Sequence, residues 1–262
     1  MEFALSEDLL QIQKQAREFA ETQIRPVAPH YDAIESFPWD VLRKAAGAGL
    51  YGLEFFERLR TDPGGLTAPI VSEELAWGCA GIALAILSTR LPYYALTMHG
   101  TPSQVATWGP RMFGSPKDPK VAAFALSEPQ AGSDSAAVAT SAVRQGDEWV
   151  LQGKKVFVTN GGIADVHIVV ATLDPGLRHR GQALFVVRSD NPGLSAGPKD
   201  RKLGVRASHT CSLGLNDVRI PIDQVLGGPR ALEKRLKSGR NPQPEPGSQA
   251  LRAVQAVRPL VA

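Results

Sequence analysis

The 262-residue sequence predicts an α+β fold, with an all-helical N-terminal module, then an antiparallel β-barrel or sandwich, then helix again. Three observations carry this expectation. Apolar residues recur at helical spacing through the first third of the chain. From Val121 to Leu215, short apolar runs alternate with Gly, Pro, Asn and Asp turns, and no helix-length pattern intervenes. Helical spacing then resumes at about Ser248 and is still running at Ala262. The expected segments are 1–119 (helical), 120–228 (β) and 229–262 (a basic linker and the start of a helical domain).

Ser6, followed by Glu7 and Asp8, reads as a helix start, with acids facing the positive helix end. Leu9, Ile12, Ala16, Phe19 and Ile24 form the apolar stripe of that helix, and Pro26 and Pro29 are expected to end it. A second helix is expected from near Pro38 to the Gly47/Gly49 stop. Thr61 to Gly65 reads as a turn. From Thr67 to Leu96 the chain reads as helical and largely apolar, interrupted at Gly78, Gly81 and Pro92. Thr101-Pro-Ser-Gln104 matches a capping box with proline at the first helical position. The expected strands are Val121–Leu126, Trp149–Leu151, Val156–Thr159, His167–Thr172, Ala183–Arg188 and Cys211–Leu215.

Composition narrows the class. A hydrophobic content of 43% with 21% charged residues fits a folded globular chain rather than a disordered one. The longest apolar stretch, Cys79–Leu87, is too short to span a bilayer. Met1–Ile24 carries acids and no apolar core, which argues against a secretory leader. The two cysteines, Cys79 and Cys211, lie far apart and make no disulfide framework, so a reducing, cytoplasmic compartment is expected. The net charge of +3 is uneven: residues 229–262 hold seven Lys/Arg against two acids, leaving −2 on the rest. That basic stretch has no aromatic residue for base stacking, so it reads as a solvated linker rather than a nucleic-acid site.

Several motifs are set aside. Gly193-Leu-Ser-Ala-Gly197 matches the hydrolase G-x-S-x-G pattern, but Pro198-Lys-Asp follows it instead of a helix, so it reads as a turn. The five histidines are scattered without metal-ligand spacing. No G-x-G-x-x-G follows a strand, so a Rossmann site is not expected.

Two stretches stand out. Phe124–Asp134 reads FALSEPQAGSD, an apolar strand broken by Ser127-Glu128-Pro129 and followed by the small-residue turn Ala131-Gly132-Ser133. Such a turn can aim backbone N–H groups at an anion. Lys155–Gly162 reads KVFVTNGG, a second apolar strand ending in a hydroxyl, an amide and paired glycines. Two strands ending this way can line one site from two sides. Taken singly, each is an ordinary strand-turn junction.

Together these stretches resemble the acyl-CoA dehydrogenase family, whose middle β-domain carries a TEPxAGSD element and a W-I-T-N-G element. Here Ser127 stands for the threonine and Phe157 for the tryptophan, keeping hydroxyl for hydroxyl and aromatic for aromatic. The resemblance runs in order through the whole chain, which then stops early in the family's C-terminal bundle. It implies an FAD-dependent oxidoreductase of lipid metabolism that desaturates an acyl-CoA thioester at its α,β carbons. It further implies an electron-transfer flavoprotein as acceptor and assembly as a homo-oligomer or with a complementing subunit. Reduced flavin gathers negative charge near its pyrimidine ring, where preorganised donors are most effective. By the same resemblance, Ser127 contacts the isoalloxazine through its N–H and side chain, and Thr159 bonds near N5 and O4. Phe157 packs on the flavin, with Phe124, Leu126 and Val158 in the same cofactor wall. Gly132 and Ser133 meet the FAD pyrophosphate or the CoA arm. Glu128 is expected to be a structural acceptor. The family's catalytic base is expected beyond residue 262. In some relatives it instead precedes an Arg-Pro pair on the bundle's first helix. Arg258-Pro259 looks like that pair, which makes Arg258 a substrate-side residue and puts Val257, which cannot take a proton, at the base position. A non-catalytic acyl-CoA- or protein-binding module and an acyl-CoA oxidase-like relative are the alternative readings.

Overall fold

A computed structural model describes residues 4–240. They divide into two units. One holds the residues up to Arg90 with Phe113–Lys120 and Asp200–His209, and the other holds Leu91–Met112, Val121–Lys199 and the chain from Thr210.

In the first unit, α1 (Glu7–Phe19) starts on Ser6, whose hydroxyl accepts from the Leu9 N–H at 3.4 Å. A π-turn over Ala20–Ile24 extends it. Pro29 does not end a helix: it sits in the first turn of α2 (Ala28–Ile34), where a missing N–H costs nothing. Next come α3 (Trp39–Gly47), α4 (Leu53–Thr61), α5 (Thr67–Gly78) and α6 (Ala80–Leu87). Ile12, Ala16 and Phe19 of α1 are buried, as are Val71 and Leu75 of α5, the helix they pack against. Glu74, also buried, accepts from Arg17 and from Gln13 Nε2 at 2.9 Å. Phe56 stacks on Phe113 at 5.0 Å between centroids, with Tyr51 edge-on to both.

In the second unit, α7 (Arg90–His99) carries Pro92 within its first turn rather than being broken there. The box at the start of α8 (Pro102–Phe113) closes as its sequence specifies. Gln104 N–H donates to Thr101 Oγ1 at 3.2 Å, and Thr101 N–H donates to Gln104 Oε1 at 2.9 Å. The same amide then donates to the carbonyls of Asp223 and Val225 and accepts from the Gly227 N–H. One buried side chain thus clamps the exit of the sheet to the helix.

Seven strands form one curled sheet: β1 (Ala122–Ala125), β2 (Ser141–Gln145), β3 (Glu148–Thr159), β4 (Val166–Thr172), β5 (Gln182–Arg188), β6 (Leu194–Lys199) and β7 (Thr210–Pro221). The order is β1-β4-β2-β3-β7-β6, with β5 also on β4. The sheet is mixed, a half-barrel rather than the antiparallel barrel or sandwich expected. β1 runs parallel to β4, and Ser141 of β2 pairs parallel with Thr172. Parallel pairing needs a long crossover, and here the β2–β3 hairpin supplies it in place of a helix. The lack of helices between strands therefore did not exclude it. The expected strands at Trp149–Leu151 and Val156–Thr159 are one strand, β3, bulged in the middle. Gly193–Gly197 is not a free turn: Leu194 onward is edge strand β6, with no elbow at Ser195. Pro229–Arg240, read as linker, is helix α9. The helix expected from Ser248, with Val257 and Arg258, lies outside the described residues.

All of β4 is buried, and β5 pairs with it along its length while β1 pairs with Val166–Val169 on the other side. His167 within it is 1% exposed, neither ring nitrogen has a hydrogen-bond partner among the described residues, and burial pulls its imidazole down to about 4. An unfolded histidine titrates near 6.5, so between these values the unfolded chain binds the extra proton. This contribution is complete above pH 6.5 and is lost as pH falls toward 4, by about 3 kcal/mol for a shift of this size. Urea unfolding of wild type and His167→Leu at pH 4, 5 and 6.5 checks it. The variant is expected to lose distinctly less stability across that window, and parallel curves would exclude the assignment.

Candidate functional site

The two singled-out stretches meet in the second unit. The Val156 N–H donates to the Ser127 carbonyl at 2.9 Å, and Asn160 Nδ2 donates to the Ala122 carbonyl at 3.1 Å. With 127 opposite 156 and 122 opposite 160, β1 and the end of β3 run antiparallel.

Burial along β3 explains the strand's shape. Trp149, Leu151 and Lys155 are buried at the inward parity of a period-2 strand, and then Val158 and Asn160 are buried at the opposite parity. The register shift between Lys155 and Val158 accounts for the change, since one extra residue turns every later side chain over. Phe157 is that residue. Its φ is +55°, a left-handed conformation that costs a non-glycine residue about 1–3 kcal/mol, and its ring is 76% exposed. A large apolar ring held in solvent by a strained backbone is a feature that packing does not explain.

Lys155 occupies an inward position that would ordinarily hold an aliphatic side chain. Its ammonium donates to Glu128 Oε1 at 2.6 Å and to the Leu126 carbonyl at 3.0 Å, with both ionic side chains buried. Glu128 accepts three further bonds: from the Ala139 N–H at 2.8 Å, the Thr140 N–H at 3.0 Å and Gln130 Nε2 at 2.8 Å. Burial alone would raise the Glu128 carboxyl. Lys155, Thr140 and Ala139 overcome it and hold the group below its ordinary range. Burial pulls the Lys155 ammonium down to about 8, despite its partner. Gly153, at the earlier bulge, lets Thr140 approach: a Cβ there would stand 2.4 Å from Thr140 Oγ1.

Glu128 and Ala131 exchange backbone bonds of 2.9 and 3.1 Å, closing the turn with Pro129 and Gln130 at its tip. The Ala131 N–H is thereby used. Gly132 and Ser133 are exposed, and among the described residues their N–H groups donate to no protein acceptor. Asp134 is paired with Arg178 Nη2 at 3.0 Å, both side chains being largely exposed. Ser127 and Thr159 are half-buried. Among the described residues, the Ser127 N–H, its hydroxyl and the Thr159 hydroxyl are bonded to no protein atom. Phe124 and Leu126 are half-buried beside them, and Val158 is buried.

The structure therefore brings Phe124, Leu126, Ser127, Phe157, Val158 and Thr159 together where β1 meets β3, with Gly132 and Ser133 on the adjoining turn. Sequence reasoning treated Glu128 as a lone structural acceptor and missed Lys155. A signal was available, as a lysine at the head of the apolar run Val156–Val158. No group of three or more His, Cys, Asp or Glu side chains suited to a metal occurs among the described residues, and no helix there is long and apolar enough to cross a membrane.

Phe157 yields a direct check. Phe157→Gly relieves the left-handed strain while removing little buried area, so urea unfolding is expected to show a gain of about 1 kcal/mol. A loss of stability would mean that the ring contributes packing rather than being held out for a ligand.

Residues 6–115 match the acyl-CoA dehydrogenase N-terminal domain, and residues 123–218 match the acyl-CoA dehydrogenase middle domain. Over 230 residues the chain is 34% identical to a short-chain-specific acyl-CoA dehydrogenase of Clostridium acetobutylicum, covering 87% of this chain and 60% of that protein. The fold is similar to butyryl-CoA dehydrogenase from Megasphaera elsdenii, with a TM-score of 0.78 and 30% identity, over 92% of this chain and 64% of that one. It is also similar to a glutaryl-CoA dehydrogenase from Mycobacterium smegmatis in complex with FADH2, with a TM-score of 0.74 and 28% identity, over 90% of this chain and 60% of the other. The chain thus spans about three-fifths of the length of these relatives, and with its helical and β domains both matched in order it belongs to the acyl-CoA dehydrogenase family.

Proposed function

We propose that this chain supplies the flavin-contacting part of an FAD-dependent acyl-CoA dehydrogenase. The observation that carries the reading is the set of half-buried donors on Ser127 and Thr159 that, among the described residues, bond no protein atom, in two stretches joined by the Val156-to-Ser127 backbone bond. Half-buried and without a protein partner among the described residues, these donors are open to a ligand with acceptor atoms along one edge. An isoalloxazine ring has such an edge, and the Phe157 ring beside it offers a flat apolar face.

Bound FAD supplies the hydride acceptor for α,β-desaturation of the thioester. Ser127 contributes its N–H and hydroxyl, and Thr159 its hydroxyl, fixed on two paired strands so that they need no reorganisation. Phe124, Leu126 and Val158 form the apolar wall, and Phe157 covers the ring and keeps water off it. The open N–H groups of Gly132 and Ser133, with the Ser133 hydroxyl, suit a phosphate of the cofactor or of the CoA arm. An electron-transfer flavoprotein is the acceptor we assign, and assembly into a homo-oligomer or with a complementing subunit completes the site.

The carboxylates flanking the site are committed. Glu128 holds Lys155 and two backbone N–H groups, and Asp134 holds Arg178. Neither is placed to take the thioester's α-proton, a task that requires a free carboxylate within hydrogen-bond reach. We assign that base to a residue outside the described part. The same observation favours a second reading, an acyl-CoA-binding module without turnover.

Reconstitution tests both. The intact protein, or this chain with its complement, is expected to bind FAD non-covalently, with a resolved flavin spectrum. Thr159→Ala is expected to slow flavin bleaching by acyl-CoA more than it weakens FAD retention, in whatever assembly bleaches. A folded protein that takes up no FAD from excess would overturn the flavin assignment. Anaerobic stopped-flow mixing of the FAD-loaded chain with a panel of acyl-CoAs is expected to give binding without bleaching. Stoichiometric enoyl-CoA from this chain alone would place a base among its own residues.

A further inference from the structure

Lys155 makes two bonds, and the second concerns the site directly. The acceptor at 3.0 Å is the Leu126 carbonyl, which belongs to the same peptide group as the Ser127 N–H. The charge on Nζ is held in place by Glu128 Oε1 at 2.6 Å, and opposite Lys155 in the ladder on β7 stands apolar Leu213. On its far side Ser127 is fixed as well, since its own carbonyl accepts from Val156 at 2.9 Å. The one open end of this relay is the Ser127 N–H, which is bonded to no protein atom among the described residues.

A cation on an amide oxygen draws electron density from the nitrogen, leaving its N–H the stronger donor. Chains of hydrogen bonds polarise one another in this way, and most strongly where an ionised group and a water-poor interior coincide. Burial of both ionic side chains meets that condition.

We propose that Lys155 is a positioning residue that sets the donor strength of the Ser127 N–H through the Leu126 carbonyl, and so biases the site toward the more anionic, reduced form of a flavin. The proposal rests on the flavin reading for its consequence, though not for the polarisation itself. A buried ion pair that merely stabilised the fold would affect both oxidation states of a ligand equally. A relay ending at a ligand-facing N–H discriminates between them.

The test removes both charges together, because either single variant leaves a buried ion without its partner and is strongly destabilising. In Lys155→Met/Glu128→Gln, folding is checked by near-ultraviolet circular dichroism, and dissociation constants are measured anaerobically for oxidised and for reduced FAD. Affinity for the reduced form is expected to fall about tenfold relative to the oxidised form, equivalent to a two-electron potential about 30 mV more negative. An unchanged ratio in a folded, FAD-binding variant would overturn the proposal. A second measurement needs neither mutation nor cofactor. The Ser127 amide nitrogen of the FAD-free wild-type chain, followed by carbon-detected NMR from pH 7 to 9.5, is expected to shift in step with deprotonation of Lys155, near pH 8. A Ser127 amide that ignores the Lys155 titration overturns the relay. Failure of wild type to retain FAD counts instead against the flavin reading, and the amide titration still decides the coupling.

Discussion

The ion pair between Glu128 and Lys155 is the constraint on which the site depends. Isolated, either charge in this interior would cost several kcal/mol, so each is retained only because the other, and the surrounding donors, meet it. The geometry that satisfies them is narrow. Glu128 must reach the Ala139 and Thr140 N–H groups on one side and Lys155 on the other, and Lys155 must also reach the Leu126 carbonyl. Those demands fix the end of β1, the turn after it, the entry to β2 and the middle of β3 relative to one another. An apolar pair of the same volume would fill the space without specifying any of these positions.

The bulge in β3 follows from the same arrangement. Lys155 must face inward to meet Glu128, whereas Phe157 and Thr159 must face the opposite way from the parity that Lys155 sets. A regular strand would point residues 155, 157 and 159 to one face. Inserting one residue resolves the conflict, and its backbone cost falls on Phe157 as a left-handed φ. Strain at this point is therefore tied to the display of an aromatic ring next to two open hydroxyls, and away from the sheet's own core.

Much of this was legible in the sequence, and what was not had particular causes. The Ser6 cap and the Thr101/Gln104 box could be read because capping is a local exchange of bonds between residues three apart. The pairing of the two site stretches could be read only by resemblance, since no local rule connects Ser127 to Val156. Helix α4 was missed because the stretch from Leu53 to Thr61 is short and rich in charge, with Phe55, Phe56 and Leu59 as its few buried anchors. β2 and β6 were missed because each buries little. The split of β3 into two strands came from Lys154 and Lys155, which interrupt an apolar alternation although the second occupies an inward position. The mixed sheet was missed because β1 and β4 are about forty residues apart, and parallel register over that distance leaves no periodic trace.

The electrostatic character of the site follows from which charges are cancelled and which valences are left open. Glu128 is neutralised by Lys155 and by N–H donors, and Asp134 is paired with Arg178 at the exposed surface. Among the described residues, the groups left without a protein partner include N–H groups at Ser127, Gly132 and Ser133, and hydroxyls at Ser127, Ser133 and Thr159. Each hydroxyl can also accept, but the N–H groups cannot, and the buried ammonium of Lys155 behind them adds to the same sign. A surface built this way favours a ligand that carries, or gains, negative charge along its edge. It is ill suited to removing a proton, because abstraction needs an acceptor with a free lone pair of carboxylate basicity. Holding an electron-rich ring and taking a proton from carbon are thus separate duties, and the function proposed above assigns only the first to these residues.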